Sequence, residues 1–299
     1  MSDWIISIEG TETGLYASAA LALLAAFLHA VLGAMQKGRF GPFVSRSVID
    51  MIYGVFGALL VFFVVPWPEP HMWPIFAGMM VIHAGYKYFQ ALAFSRGAYT
   101  VVYPVVRGTG PLFTVIGAWI VFGETFNAVQ WLGVAVLLSG IFGLAAYNLR
   151  HITVDRVTLV PALWLAVAAG AFAALYTTYD AYGIRATADP FTFIAWFFFL
   201  DSFFMPLWNR RRLLAVPRGD WPGLLRHGLV GALVTMGSFG AIMLATRLGP
   251  VGQAAVLRET STVFAALVGF LLLGERVGPR RLVLMVLIAA GAVIVQMAA

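Results

Sequence analysis

Cysteine is absent from the 299 residues, which excludes disulfides, thiolate catalysis and cysteine metal sites. Charge is scarce as well: 11% of the residues are Asp, Glu, Lys or Arg against 61% hydrophobic, with a mean hydropathy of +0.90. A water-facing globule of this length needs more polar surface than that, so the chain must face lipid. There is no Gly-x-x-x-x-Gly-Lys-Ser/Thr loop, no His-Glu-x-x-His and no Gly-x-Ser-x-Gly. Direct drive by ATP, zinc hydrolysis and a serine nucleophile therefore lack their residues, and no cofactor or metal is expected. Lys and Arg are missing from Met1 to Gly14, which carries Asp3, Glu9 and Glu12. A secretory signal needs a basic start, so residues 1–14 read as a mature N-terminal tail.

What the chain does have is long apolar runs. Ten can be marked, over 15–36, 45–66, 73–94, 99–122, 128–147, 159–182, 190–208, 225–246, 251–273 and 280–298. Each is close to the roughly 20 residues needed to cross a hydrocarbon core about 30 Å thick. They are too long for barrel strands and do not alternate, so the predicted fold is an all-α membrane protein of ten transmembrane helices. The odd-numbered connections hold Lys37, Arg39, Arg96, Arg150, Arg156, Arg210, Arg211, Arg212, Arg218, Arg276, Arg280 and Arg281, whereas the even-numbered ones hold Arg185 and Arg247. The positive-inside rule then places both termini outside the cytoplasm, in a multi-pass protein of a bacterial inner membrane. Trp67, Trp73, Trp131, Trp164, Trp208 and Trp221 stand near segment ends, as an interfacial belt requires.

The chain is also duplicated. A shift of 151 residues pairs Arg96 with Arg247, Val105 with Val256, Arg107 with Arg258, Thr109 with Thr260, Phe113 with Phe264, Gly123-Glu124 with Gly274-Glu275 and Gly140 with Gly291; a shift of 148 pairs Pro42-Phe43 with Pro190-Phe191. Two repeats of five helices follow, over 15–150 and 151–299. An odd number of spans per copy inverts one half relative to the other, about an axis in the membrane plane. Halves so related can rock about a shared central site.

The run from Ala91 to Phe113 (Ala-Leu-Ala-Phe-Ser-Arg-Gly-Ala-Tyr-Thr-Val-Val-Tyr-Pro-Val-Val-Arg-Gly-Thr-Gly-Pro-Leu-Phe), followed by Gly123-Glu124 and Gln130-Trp131-Leu-Gly-Val, resembles the fourth and fifth spans of EamA-type transporters of the drug/metabolite transporter superfamily. Gly249-Pro250 through Gly274-Glu275 and on to Gly291 is similar to their second repeat. The resemblance covers nearly the whole chain. It implies export of amino acids or other small metabolites without naming a cargo, and many such proteins keep both termini inside, opposite to the charge count here.

Charges inside the spans carry what chemistry there is. A charge at a span centre costs roughly 2.5–3.5 kcal/mol on insertion scales, so Asp50, Lys87, Arg107, Asp180, Asp201, Arg258 and Glu259 must converge or lie near water. Helical spacing supports convergence. His29, Gly33 and Gln36 share a face, as do Arg46, Asp50 and Tyr53; His83, Lys87 and Gln90; Tyr103, Arg107 and Gly110; and Tyr176 with Asp180. Arg107 lies between Pro104 and Pro111, which are expected to interrupt the helical ladder there. It can receive an anionic group or pair with Asp50, Asp180 or Glu259. Arg258 repeats the position without the prolines. Lys87 and Asp50 can pair across the second and third spans.

The expected substrate residues are Arg107, Arg258, Tyr103, Tyr176, Trp196, Tyr53, Lys87 and His83, the last able also to be a simple hydrogen-bonded core histidine. Asp180, Asp50, His29 and Asp201 are candidates for a proton or charge relay. Phe193, Phe197, Phe198 and Phe199 read as packing or lipid-facing residues. Charges of both signs beside aromatic rings suit a zwitterion.

The predicted function is secondary export of a small polar metabolite, zwitterionic or anionic such as an amino acid, by alternating access, with proton coupling as an option. The alternative is a lipid-linked or lipophilic-substrate flippase or drug exporter of the same fold. Expected partners are the small-molecule substrate and membrane lipid, not nucleic acid; cargo, coupling ion and oligomeric state are not written in the sequence. The basic stretch from Asn209 to Trp221 reads as a membrane-surface segment.

Overall fold

Helices come first because in hydrocarbon every backbone N–H and C=O must find its partner within its own segment. The computed structural model describes residues 2–35, 40–96, 99–151, 156–273 and 278–298, and among these there is no strand. The elements are α1 (Ser2–Ile8), α2 (Glu12–Met35), α3 (Pro42–Phe63), α4 (Met72–Arg96), α5 (Tyr99–Phe122), α6 (Ala128–His151), α7 (Arg156–Ala186), α8 (Pro190–Asp201), α9 (Phe204–Trp208), α10 (Arg210–Leu214), α11 (Trp221–Leu248), α12 (Val251–Arg258), α13 (Ser261–Leu273) and α14 (Pro279–Met297). Proline stands at the first or second position of α3, α8, α11 and α14, where its missing N–H costs no ladder bond.

Eight helical stretches among the described residues are long and apolar enough to cross a membrane, α8 and α9 counting together as Pro190–Trp208. Two of the ten expected spans fall short of that standard. The third is one helix, α4, but His83, Lys87 and Gln90 dilute its apolar character. The ninth is cut in two, α12 ending at Arg258 and α13 starting at Ser261. The expected interruption at Arg107 is not found: α5 runs unbroken from Tyr99 to Phe122 through both prolines.

The break falls instead in the proline-free copy, for a local reason. Between α12 and α13, Glu259 N and Thr260 N donate to Val256 O and Leu257 O, and Thr262 N to Glu259 O, so the turn tightens and skips the carbonyl of Arg258. A guanidinium takes that carbonyl, as described below. The N-terminal tail is not irregular either: α1 buries Ile5 and Ile8 against Leu248.

Helix α2 packs on α11, α12 and α13; α4 on α7 and α8; α5 on α6, α7 and α12; α3 on α8 and α11; and α6 on α14. The last pair approaches backbone to backbone. A Cβ built on Gly291 would stand 2.5 Å from Leu137 N and 2.6 Å from Gly133 O, and one on Gly140 would stand 2.7 Å from Leu284 O, so only glycine permits this backbone approach. Between α3, α4, α7, α8 and α11 lies an aromatic core that includes Tyr53, Phe76, Tyr176, Phe193, Phe197, Phe198 and Phe239. Phe193, Phe197 and Phe198 are thus packing residues rather than lipid-facing ones.

Candidate functional site

The polar stripes converge beside that aromatic core. Asp50 on α3 is fully buried and accepts from Arg46 Nε at 2.7 Å and from Lys87 Nζ at 2.6 Å. Lys87 on α4 also lies 2.8 Å from Asp201 Oδ2 and donates to Tyr53 Oη and the Asp201 carbonyl, both at 3.0 Å. Tyr53 donates to Asp201 Oδ2 at 2.7 Å. Two cations thus face two carboxylates with every Lys87 proton used. Breaking such a buried pair costs about 3–5 kcal/mol, because the surviving charge has no water to turn to.

A second group meets where α5, α7 and α12 touch. Arg107 Nε is 3.0 Å from Glu259 Oε2, and its Nη2 donates to Ser261 Oγ at 2.7 Å and to the Arg258 carbonyl at 3.1 Å. That carbonyl is the one the broken ladder leaves over. Arg258 donates from Nη2 to Tyr176 Oη at 3.0 Å and to Thr177 Oγ1 at 3.4 Å, and its guanidinium stands 5.6 Å from the Tyr176 ring centre. Among the described residues no carboxylate oxygen lies within 4 Å of Arg258, and its buried Nε has no acceptor. The neighbouring Glu259 serves Arg107 instead.

His83 joins the two groups. Its Nε2 is 2.9 Å from Asp180 Oδ2, its Nδ1 is 4.0 Å from Asp201 Oδ1, and its ring lies 4.7 Å from that of Tyr176. Asp180 sits one helical turn from Tyr176, and its buried Oδ1 has no donor among the described residues. Around the Tyr176 ring, among the described residues, there stand a cation with no carboxylate within 4 Å and an acid with a spare oxygen.

Of the remaining expected residues, His29 is buried on α2. The Tyr103 side chain and Gln36 lie outside the described residues. Trp196 is not brought to the charges: it packs with Trp67, Trp73 and Phe76 at ring distances of 5.2, 5.0 and 6.2 Å, in an aromatic cap. Its ring joins Trp67 of the 64–71 connection and Trp73 in the first turn of α4, two residues of the expected interfacial belt.

Sequence reasoning missed a clasp on the face that carries the termini. Arg185, in the last turn of α7, donates to Thr246 O and Gly249 O at 2.9 Å each; Arg247, in the last turn of α11, donates to Ile184 O at 2.6 Å and Thr187 O at 2.8 Å. Arg247 also pairs with Glu9. Glu124 accepts from the Val251 and Gly252 amides at 2.8 and 2.9 Å, capping α12, with Arg185 3.8 Å away. The available signal was a last-turn arginine shortly before Pro190 and Pro250.

Long apolar helices around a buried set of paired charges define a multi-pass integral membrane protein with a polar interior. The sequence pattern of the EamA-like transporter family matches twice, over residues 17–146 and 160–297, and the chain belongs to that family, whose members are transporters. A crystal structure of a protein 19% identical in sequence superimposes with a TM-score of 0.75, over 96% of this chain and 99% of that one, which shows the fold alone. The uncharacterized protein y4nH of Sinorhizobium fredii is 35% identical over 72 residues, 24% of this chain; the match spans 62% of that protein's length.

Proposed function

We propose that this chain is a secondary transporter that exports a small polar metabolite, zwitterionic or anionic such as an amino acid, by alternating access between two inverted five-helix repeats, 15–150 and 151–299. In this reading α4 and the α12–α13 pair cross the membrane with the eight longer apolar stretches, giving ten spans. The family pattern's two matches support the repeat. So do the packing pairs: if α2–α6 answer to α7, α8–α9, α11, α12–α13 and α14, then exchanging the halves turns α2 on α11 into α7 on α4, and α5 on α7 into α12–α13 on α2. The charge count favours an inner-membrane protein with its termini outside, since Arg185 and Arg247, the basic residues of the termini face, are tied to Glu124 and Glu9.

The observation that carries the substrate reading is the mismatch around Tyr176. Among the described residues Arg258 donates to hydroxyls and Asp180 pairs with a histidine, so a carboxylate and an ammonium of one small ligand would each find a buried partner. Arg107, already satisfied by Glu259 and Ser261, keeps a supporting role. His83 between two carboxylates is where a coupling proton would sit. The test is uptake of individual amino acids into proteoliposomes. Arg258→Gln should fold and lose transport; undiminished uptake by that variant removes the residue from the site and the reading with it.

A further inference from the structure

A cleft of about 590 Å³ opens between the C-terminal end of α6 and the N-terminal end of α14, away from the buried charges, and is lined by Gly143, Ala146, Tyr147, Arg150, Arg280, Val283 and Leu284. Its two ends differ in chemistry. One wall is apolar and continues into the exposed flank formed by Val283, Val286 and Phe142, which faces lipid in a membrane-spanning protein. The other end holds two guanidiniums, and a third, that of Arg281, lies 5.6 Å from the Tyr147 ring centre beside it. Where α6 and α14 cross through Gly133, Gly140 and Gly291 there is no room between them, so the cleft exists only where the helices part near the interface.

Charge makes the occupant specific. The first turn of α14 carries Arg280 and Arg281 and no acid, and its N-cap Gly278 offers no side-chain cap. Cations at a helix N-terminus oppose the helix dipole, whereas an anion there is favoured by both the dipole and the arginines. We infer that this cleft is a binding site for an anionic phospholipid, with one acyl chain along Gly143, Ala146, Val283 and Leu284 and the phosphodiester between Arg150 and Arg280. A free phosphate would match the guanidiniums but leave the apolar wall open, so the lipid is the occupant argued for. The site does not depend on what the protein transports.

The experiment is native mass spectrometry of the full chain titrated with phosphatidylglycerol or phosphatidylcholine of the same acyl chains, and separately with inorganic phosphate. The expected result is a preference for phosphatidylglycerol of roughly 30-fold, the size two arginines near an anionic surface supply. Arg150→Gln/Arg280→Gln should cut the preference severalfold, while Arg96→Gln/Arg226→Gln, which removes two exposed guanidiniums elsewhere, should leave it unchanged. Ala146→Trp, a substitution at an exposed position, should fill the apolar wall and displace the lipid with both arginines in place. An equal affinity for the two lipids, a preference untouched by both cleft variants, or displacement of the lipid by millimolar inorganic phosphate overturns the assignment.

Discussion

Arg185 and Arg247 exchange helix caps: each, from the last turn of its own helix, satisfies carbonyls at the end of the other's. The bonds are reciprocal between α7 and α11, so neither helix end can withdraw without stranding acceptors on both. With Glu9 and Glu124 as counter-charges, this clasp is expected to seal the termini face over the buried residues.

Arg247→Ala should loosen that seal. It strips Ile184 O, Thr187 O and Glu9 of their donor, and each unsatisfied polar group costs about 1–3 kcal/mol where water is scarce. The cysteine-free background makes the assay direct: Ala181→Cys, buried on α7, should react with a maleimide roughly ten times faster in the Arg247→Ala protein. An equal rate would show that the clasp does not hold the face shut.

Arg107 and Arg258 should separate in a stability assay although they are repeats of one position. Arg107→Gln strands Glu259 in the interior and should cost about 3–5 kcal/mol, much of it recovered in Arg107→Gln/Glu259→Gln. Arg258→Gln strands no carboxylate and should cost less. Thermal unfolding in detergent measures both, and equal losses would contradict the pairing.

Lys87→Met should destabilise more than Arg46→Met. Lys87 is shared by Asp50, Asp201 and Tyr53, whereas Arg46 pairs with Asp50 and stands nearer the surface. Adding Asp201→Asn to Lys87→Met should restore part of the loss, and a strictly additive double variant would argue against the shared network.

Gly291→Leu should force α6 and α14 apart. Even a first carbon there stands 2.5 Å from Leu137 N, so backbone must move, at about 1–3 kcal/mol or more. The readout is the unfolding midpoint, with Gly278→Ala, where nothing lies within 4 Å, as the silent control.

Glu69 gives a pH signature outside the membrane. The Ala188 amide bonded to its carboxylate, with help from Thr187, holds the group below the usual carboxylate range. A depressed folded-state value means that the contact stabilises above the ordinary carboxylate pKa and fades as pH falls through the lower folded value. The difference in unfolding midpoint between wild type and Glu69→Gln, small because Glu69 is only half-buried, should shrink as pH falls below the ordinary carboxylate value.

The sequence disclosed which side chains had to leave the lipid, because charge in an apolar run is costly wherever it stands. Asp50 with Lys87, and Glu259 with Arg107, were among the pairings it allowed, and both are present. It could not choose between Glu259 serving Arg258 or Arg107, since that depends on which helix the break at Glu259 turns toward. Prolines misdirected the search for the break: each removes one donor from the ladder, yet α5 continues through both. Trp196 meets Trp67, on the connection before α4, and Trp73, in the first turn of α4, an encounter no periodicity reveals. The clasp stayed hidden for the same reason, its acceptors being backbone atoms.

The gap between α12 and α13 ties the two repeats to a single event. Arg107 of one half occupies the orphan oxygen of Arg258 in the other while steadying Glu259 and Ser261 beside it. Drawing that guanidinium away would undress an oxygen, an acid and a hydroxyl at once, so the seam moves as a whole or stays put.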